Sequence, residues 1–86
     1  MALYFLSYDL RKSRNYQPLY DELGRIGAVR VLESLWSFAR DLTSAESLST
    51  HYRQFVDADD GLIVIKASDW AGYNLLAVPP TPTNWT

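Results

Sequence analysis

The sequence predicts a small α+β domain whose elements follow the order β-α-β-β-α-β. Stretches rich in β-branched and aromatic residues alternate with two stretches whose apolar residues recur at helical spacing. The chain has 86 residues and is 48% hydrophobic, which fits one folded domain and excludes general disorder. It contains no cysteine, which excludes a disulfide framework and a thiolate zinc site.

The first strand and the first helix carry the clearest patterns. Residues 3–8 are apolar or aromatic on both alternating faces, which is typical of a buried strand. After a polar loop, an amphipathic helical pattern follows, whose apolar face consists of Tyr16, Leu19, Tyr20, Leu23 and Ile26. We expect Asn15 or Ser13 as the N-cap, Pro18 in the first turn, and Gly27 as the residue that ends the helix.

The middle of the chain predicts a hairpin, a second helix and a further strand. Residues 28–40 are β-like but are interrupted at Glu33-Ser34, and two short strands fit this length better than one bulged strand. Thr43-Ser44-Ala45-Glu46 has the spacing of a capping box, which predicts a helix after it. An acidic turn over residues 57–61 then precedes an apolar strand over residues 62–65.

The complete order of elements is that of a ferredoxin-like βαββαβ sandwich. Residues 73–78 are a candidate for a short fifth strand, and residues 79–86 are expected to form a Pro-rich C-terminal tail. The domain is therefore expected to cover residues 1–78. No apolar run is long enough to span a membrane and no signal-peptide pattern is present, so we expect a cytoplasmic protein without a membrane partner.

The first and last predicted strands are apolar on both faces, which predicts a partner for the sheet. Two helices cover only one face of a ferredoxin-like sheet, and monomers rarely leave a large apolar patch exposed. The economical solution is a homodimer. The residues that we assign to the core or to the dimer interface are Tyr4, Leu6, Tyr8, Trp36, Phe38, Leu62 and Val64.

Three segments resemble the CRISPR-associated Cas-two-like family. Tyr8-Asp9-Leu10 is similar to the motif that ends the first strand of that family, in which Tyr-Asp is followed by a hydrophobic residue. Residues 30–37 (RVLESLWS) resemble its second and third strands, and residues 57–65 resemble its acidic turn and fourth strand. The chain looks most similar to the stand-alone SinR-like branch, and the virulence-associated protein D toxins share the same fold family.

The resemblance implies a dimeric, metal-dependent endonuclease that acts on RNA or single-stranded DNA and is centred on Asp9. Two such aspartates meeting near a dimer axis could share one Mg²⁺ or Mn²⁺ ion. The resemblance also implies that the last strand of one subunit can extend the sheet of the other. Some members of the family serve instead as non-catalytic scaffolds.

The residues themselves leave two interpretations of this region open. Asp9 either binds a metal ion or caps the loop that follows it. Arg11, Lys12 and Arg14 either hold phosphate groups, with Arg30 extending that surface, or form a solvated polar loop. The net charge of -2 does not favour wrapping a nucleic-acid duplex. The alternative function is a catalytically inert dimeric module that binds a protein partner or a small anionic ligand.

Overall fold

The structure is a computed structural model that describes residues 2–11 and 15–80. The elements follow the predicted order: β1 (Ala2–Asp9), α1 (Gln17–Arg25), β2 (Val29–Leu32), β3 (Leu35–Arg40), α2 (Ala45–Tyr52), a 3₁₀ turn (Arg53–Phe55) and β4 (Gly61–Ala67). The strands form a four-stranded antiparallel sheet in the order β2-β3-β1-β4. This α+β arrangement, with its two helices, is compatible with a ferredoxin-like fold.

The central strand β1 separates the two faces of the sheet. Leu6 lies opposite Trp36 of β3 and opposite Val64 of β4, and Asp9 lies opposite Gly61. Because side chains alternate along a strand, Leu6 and its even-numbered neighbours lie on one face, and Asp9 and its odd-numbered neighbours lie on the other. The candidate carboxylate is therefore on the opposite face from the main core.

The hydrophobic core lies on the even-numbered face. It is formed by buried residues of β1, β3 and both helices: Tyr4, Leu6, Tyr8, Leu19, Leu23, Phe38, Leu48 and Tyr52. Trp36, Leu62 and Val64 are partly buried and pack against this cluster. The Tyr4 and Phe38 rings stack with their centroids 5.9 Å apart. Burial of each large side chain contributes about 1.5–3 kcal/mol, so this cluster is the main source of stability.

The ends of α1 follow from its flanking residues. The Asn15 side chain accepts a hydrogen bond from the Gln17 amide at 3.0 Å, although Tyr16 occupies the N-cap position itself. Pro18 lies in the first turn, where its missing N–H removes no helical bond. Gly27 follows the helix with a φ of 79°, a left-handed conformation that suits glycine. Ser13, the other expected cap, lies outside the described residues.

The predicted capping box at the start of α2 is wrong by one residue. Ser44 is the N-cap, and its Oγ accepts a hydrogen bond from the Ser47 amide at 3.1 Å. Thr43 is held differently, because the Tyr4 hydroxyl donates to its carbonyl oxygen at 3.1 Å. Both Thr43 and Ser44 have a side-chain oxygen that can cap a helix. The helix begins directly after Ser44, beside the contact between Thr43 and β1.

Residues 73–78 do not form the fifth strand for which they were a candidate. Asn74 has a φ of 53°, which interrupts an extended backbone. Instead, the C-terminal segment lies against the second face of the sheet: the Leu76 amide donates to the Val31 carbonyl at 2.9 Å, and the Trp70 ring meets Phe5 edge-on at 6.5 Å. Part of the face that was expected to need a second copy is therefore covered by the chain itself.

The cover over the second face is incomplete. Ile63 and Ile65 of β4 keep 55% and 48% of their surface exposed. Pro79 at the start of the predicted tail is buried, and residues 81–86 lie outside the described part of the chain. None of the described helices is long and apolar enough to cross a membrane.

Candidate functional site

Asp9 ends β1 with its side chain 69% exposed. Arg11 Nε donates to Asp9 Oδ2 at 3.0 Å, and the Arg11 side chain is 57% exposed. An exposed ion pair of this kind contributes little stability, typically about 0–1 kcal/mol. The pair is therefore accessible, and another cation or anion can compete with either partner.

Arg11 connects the end of β1 to the acidic turn before β4. Its backbone amide donates to Asp60 Oδ1 at 2.6 Å, and its Nη1 donates to the Asp59 carbonyl at 2.9 Å. A Cβ atom on Gly61 would lie 3.1 Å from Arg11 Nη2, so a larger residue would crowd the guanidinium. The sequence pattern identified the turn but not this connection, which joins residues about 50 positions apart.

Asp60 organises the polar cluster around Arg11. Besides the Arg11 amide, its carboxylate accepts from the Tyr16 hydroxyl at 2.6 Å and from the Asp57 amide at 2.7 Å. The residues that come together at this end of the sheet are therefore Asp9, Arg11 and the acidic turn. Through these hydrogen bonds the acidic turn restrains the loop that follows β1.

Arg30, the other predicted phosphate-binding residue that the structure describes, does not join this cluster. Arg30 Nε donates to the Glu33 carbonyl at 2.8 Å, and its guanidinium lies 5.3 Å from the centroid of the Tyr20 ring and 5.6 Å from that of Trp36. These contacts place Arg30 beside the even-numbered face, whereas Asp9 belongs to the other face. Lys12 and Arg14 lie outside the described residues.

Asp9 is not part of a multi-ligand metal site within the described residues of one chain. Among residues 2–11 and 15–80 there is no group of three or more His, Cys, Asp or Glu side chains that could hold a metal ion. The Asp9 carboxylate is a ligand of the type that Mg²⁺ and Mn²⁺ prefer, but Arg11 occupies one of its oxygens. The donor set fits a shared site only if a second copy adds its own Asp9 and Arg11 moves aside.

A second polar cluster lies between α1 and α2. The Glu22 carboxylate accepts from Arg25 Nε and Nη2, each at 2.7 Å, and lies 2.7 Å from His51 Nε2. The hydrogen bonds from Arg25 and then His51 lower the pKa of Glu22 to about 2. No sequence pattern indicated this cluster. The spacing of Glu22 and Arg25 is a helical i,i+3 pair, but nothing local links either residue to His51.

This second cluster borders a cavity of about 220 Å³ at the end of β3. Tyr52 and Arg40 line the cavity together with Arg25 and His51. Burial, followed by the charge of Glu22, raises the pKa of Tyr52 to about 12, and the charges of Arg25 and Arg40 oppose that rise. The Tyr52 phenol therefore stays protonated at neutral pH and can act as a hydrogen-bond donor.

The described chain thus has two polar clusters at opposite ends of β1. Asp9 is at one end of the strand, and Arg40 lies opposite Ala2 at the other end. No family model matches the sequence, and no solved structure matches the fold significantly. The chemistry of these two clusters and the exposed surface near them are therefore the features that bear on function.

Proposed function

We propose that the protein is a ferredoxin-like homodimer of the Cas-two-like type, acting as a metal-dependent endonuclease on RNA or single-stranded DNA. The observation that carries this proposal is the position of Asp9. Its exposed carboxylate belongs to the same face of the sheet as Ile63 and Ile65, which are apolar and exposed. A second copy packed symmetrically on this surface could bring two Asp9 side chains towards a common axis.

The exposed apolar surface near β4 supports dimerisation. Beside Ile65, a groove of about 450 Å³ is also lined by Phe5, Leu35 and Trp70. Leu76 and Val78 of the C-terminal segment keep 67% and 73% of their surface exposed. Burying such residues against a second copy would remove apolar area from water at about 25 cal/mol per Å². This gain favours association through the partly covered face.

Within the proposed site, Asp9 would supply the oxygen ligands and Arg11 the positive charge. A Mg²⁺ or Mn²⁺ ion bound by two Asp9 carboxylates would stabilise negative charge at a phosphodiester and lower the pKa of a bound water. The Arg11 guanidinium, released from Asp9, could hold the phosphate bidentately. Asp60 keeps the Arg11 backbone in place. A phosphate-binding role for Lys12 and Arg14 stays a prediction from the sequence.

The catalytic proposal is tested by cleavage of labelled single-stranded RNA and DNA with Mg²⁺, with Mn²⁺ and with chelator. Asp9→Asn keeps the size of the side chain but removes its charge, and Asp21→Asn is the matched control on the exposed surface of α1. We expect metal-dependent cleavage by the wild type and by the Asp21 variant, and at least a hundredfold loss in Asp9→Asn. Equal cleavage by all three proteins would refute the assignment of Asp9.

The dimer is tested separately by light scattering at micromolar concentration. We expect a dimeric mass for the wild type and a monomeric mass for Ile65→Asp, because a charge buried in an apolar interface is costly. Leu42→Asp, at a fully exposed position in the loop between β3 and α2, is the control and should remain dimeric. A monomeric wild type would rule out a site shared between two copies.

A second candidate function is a catalytically inert dimeric module for a protein partner or a small anionic ligand. The observation that favours it is the ion pair between Asp9 and Arg11, which satisfies the carboxylate without a metal ion. Absence of cleavage by the wild type on every substrate would favour this function. Absence of cleavage together with a dimeric mass would support the proposed dimer and reject only the proposed nuclease activity.

A further inference from the structure

The cavity between α1 and α2 is separate from the Asp9 region and is lined by a different set of residues. It is lined by residues of α1 and α2, by Ile26 just after α1, and by Arg40 at the end of β3 and Thr43 before α2; its charged and aromatic lining consists of Glu22, Arg25, Arg40, His51 and Tyr52. Its volume of about 220 Å³ is several times the roughly 30 Å³ share of one water molecule. The space is therefore large enough for a small polyatomic ligand.

The Tyr52 hydroxyl is the first feature that indicates a ligand. Tyr52 is only 1% exposed, and its hydroxyl makes no hydrogen bond to any residue that the structure describes. Fully enclosed side-chain polar atoms in the described residues all have partners, so this hydroxyl keeps some accessible surface, and Tyr52 lines the cavity. A nearly buried donor beside a cavity is best satisfied by an acceptor bound there, because an unsatisfied polar group is costly.

Arg40 is the second feature. This exposed residue at the end of β3 lines the cavity, and its guanidinium has no ion-pair partner among residues 2–11 and 15–80. Arg25 is charge-balanced by Glu22, and the two hydrogen bonds to Glu22 use two of its five N–H groups. Two arginines and one glutamate among the lining residues give a formal charge of +1, with His51 left out of the sum. This positive cavity lies in a chain whose net charge is -2.

We propose that this cavity is a binding site for a phosphate group, either free phosphate or the terminal group of a small phosphomonoester. Arg40 forms the ion pair, since its planar guanidinium matches two phosphate oxygens. The Tyr52 hydroxyl donates a hydrogen bond to a third oxygen. Arg25 is held in place by Glu22 and contributes its remaining N–H groups from the wall of the cavity. The site lies at the end of β1 remote from Asp9, so it does not depend on cleavage chemistry there.

The test is calorimetric titration of the full chain with inorganic phosphate and with phenyl phosphate, at constant ionic strength in a buffer without other oxyanions. Arg40→Gln removes the unpaired cation, and Tyr52→Phe removes the hydroxyl but keeps the ring in the core. Arg53→Gln, on the exposed 3₁₀ turn outside this cavity, is the matched control for loss of one positive charge. Circular dichroism melts of all variants establish that each one is folded.

We expect saturable binding by the wild type and by Arg53→Gln, and binding at least about tenfold weaker in Arg40→Gln, which corresponds to ~1.4 kcal/mol. Tyr52→Phe should weaken binding severalfold without lowering the melting temperature by more than a few degrees. Tighter binding of phenyl phosphate would identify a phosphomonoester as the ligand class, and equal binding would identify the phosphate group alone. Absence of saturable binding, or equal weakening by Arg53→Gln and Arg40→Gln, would overturn the proposal.

Discussion

Replacing Asp60 by alanine should release the loop after β1 from the turn before β4. The Asp60 carboxylate accepts three hydrogen bonds from separate parts of the chain: from the Arg11 amide at 2.6 Å, the Tyr16 hydroxyl at 2.6 Å and the Asp57 amide at 2.7 Å. Alanine removes all three acceptors at once. The partly buried Tyr16 hydroxyl would then lose this partner.

The expected cost follows from the number and type of these bonds. A hydrogen bond contributes about 1 kcal/mol net, and one to a charged group about 1.5–3 kcal/mol. Because Asp60 is only partly buried, we take the lower figure for each bond, which gives a loss of about 3 kcal/mol in the free energy of unfolding. For a domain of this size, this corresponds to a fall of about 12–24 °C in melting temperature.

Urea unfolding followed by circular dichroism measures this loss directly. The matched control is Glu46→Ala on the exposed surface of α2, which should change the free energy of unfolding by less than about 0.5 kcal/mol. A loss below about 1 kcal/mol for Asp60→Ala would refute the reasoning, since it would mean that water replaces the carboxylate at little cost. The same variant should also weaken any phosphate binding by Arg11.

Three further predictions concern stability. Folding lowers the pKa of Glu22 from 4.5 to about 2, so this group stabilises the fold above pH 4.5 and its contribution is lost as the pH falls towards 2. Urea unfolding from pH 6 to pH 2 should therefore show a shallower decline in the free energy of unfolding for Glu22→Gln than for the wild type. Ser44→Ala should lower the free energy of unfolding by about 1 kcal/mol and Thr43→Ala by less, and the reverse order in thermal melts would contradict the observed cap. Gly27→Ala should cost about 1–2 kcal/mol because of the left-handed backbone, and an unchanged urea midpoint would argue against that conformation.

The elements of this fold could be predicted because their signals are local. The period-2 and period-3.6 patterns depend on residues a few positions apart, and Gly27 marks the end of a helix by its own backbone freedom. The prediction failed where two neighbouring residues offered the same chemistry. Thr43 and Ser44 can each cap a helix, and Thr43 is instead engaged by Tyr4, which is 39 positions away in the chain.

The candidate site was predictable only in part. Asp9 stood out because it directly follows an apolar strand, and the adjacent charges suggested a polar loop. Its pairing with Arg11 and the connection to Asp60 depend on the antiparallel register of β1 and β4, which aligns Asp9 with Gly61. Arg30 was expected near the same surface, but its aromatic neighbours hold it beside the other face of the sheet.

By itself, the sequence determined the order of strands and helices, the apolar face of α1 and the turn before the last strand. Only the tertiary structure decided that the C-terminal segment lies on the second face of the sheet, and that Arg40, His51 and Tyr52 meet around one cavity. The physical reason is that periodicity records which side of an element is apolar, but not what packs against it. Those contacts join residues far apart in the chain, and they form only when the elements pack together.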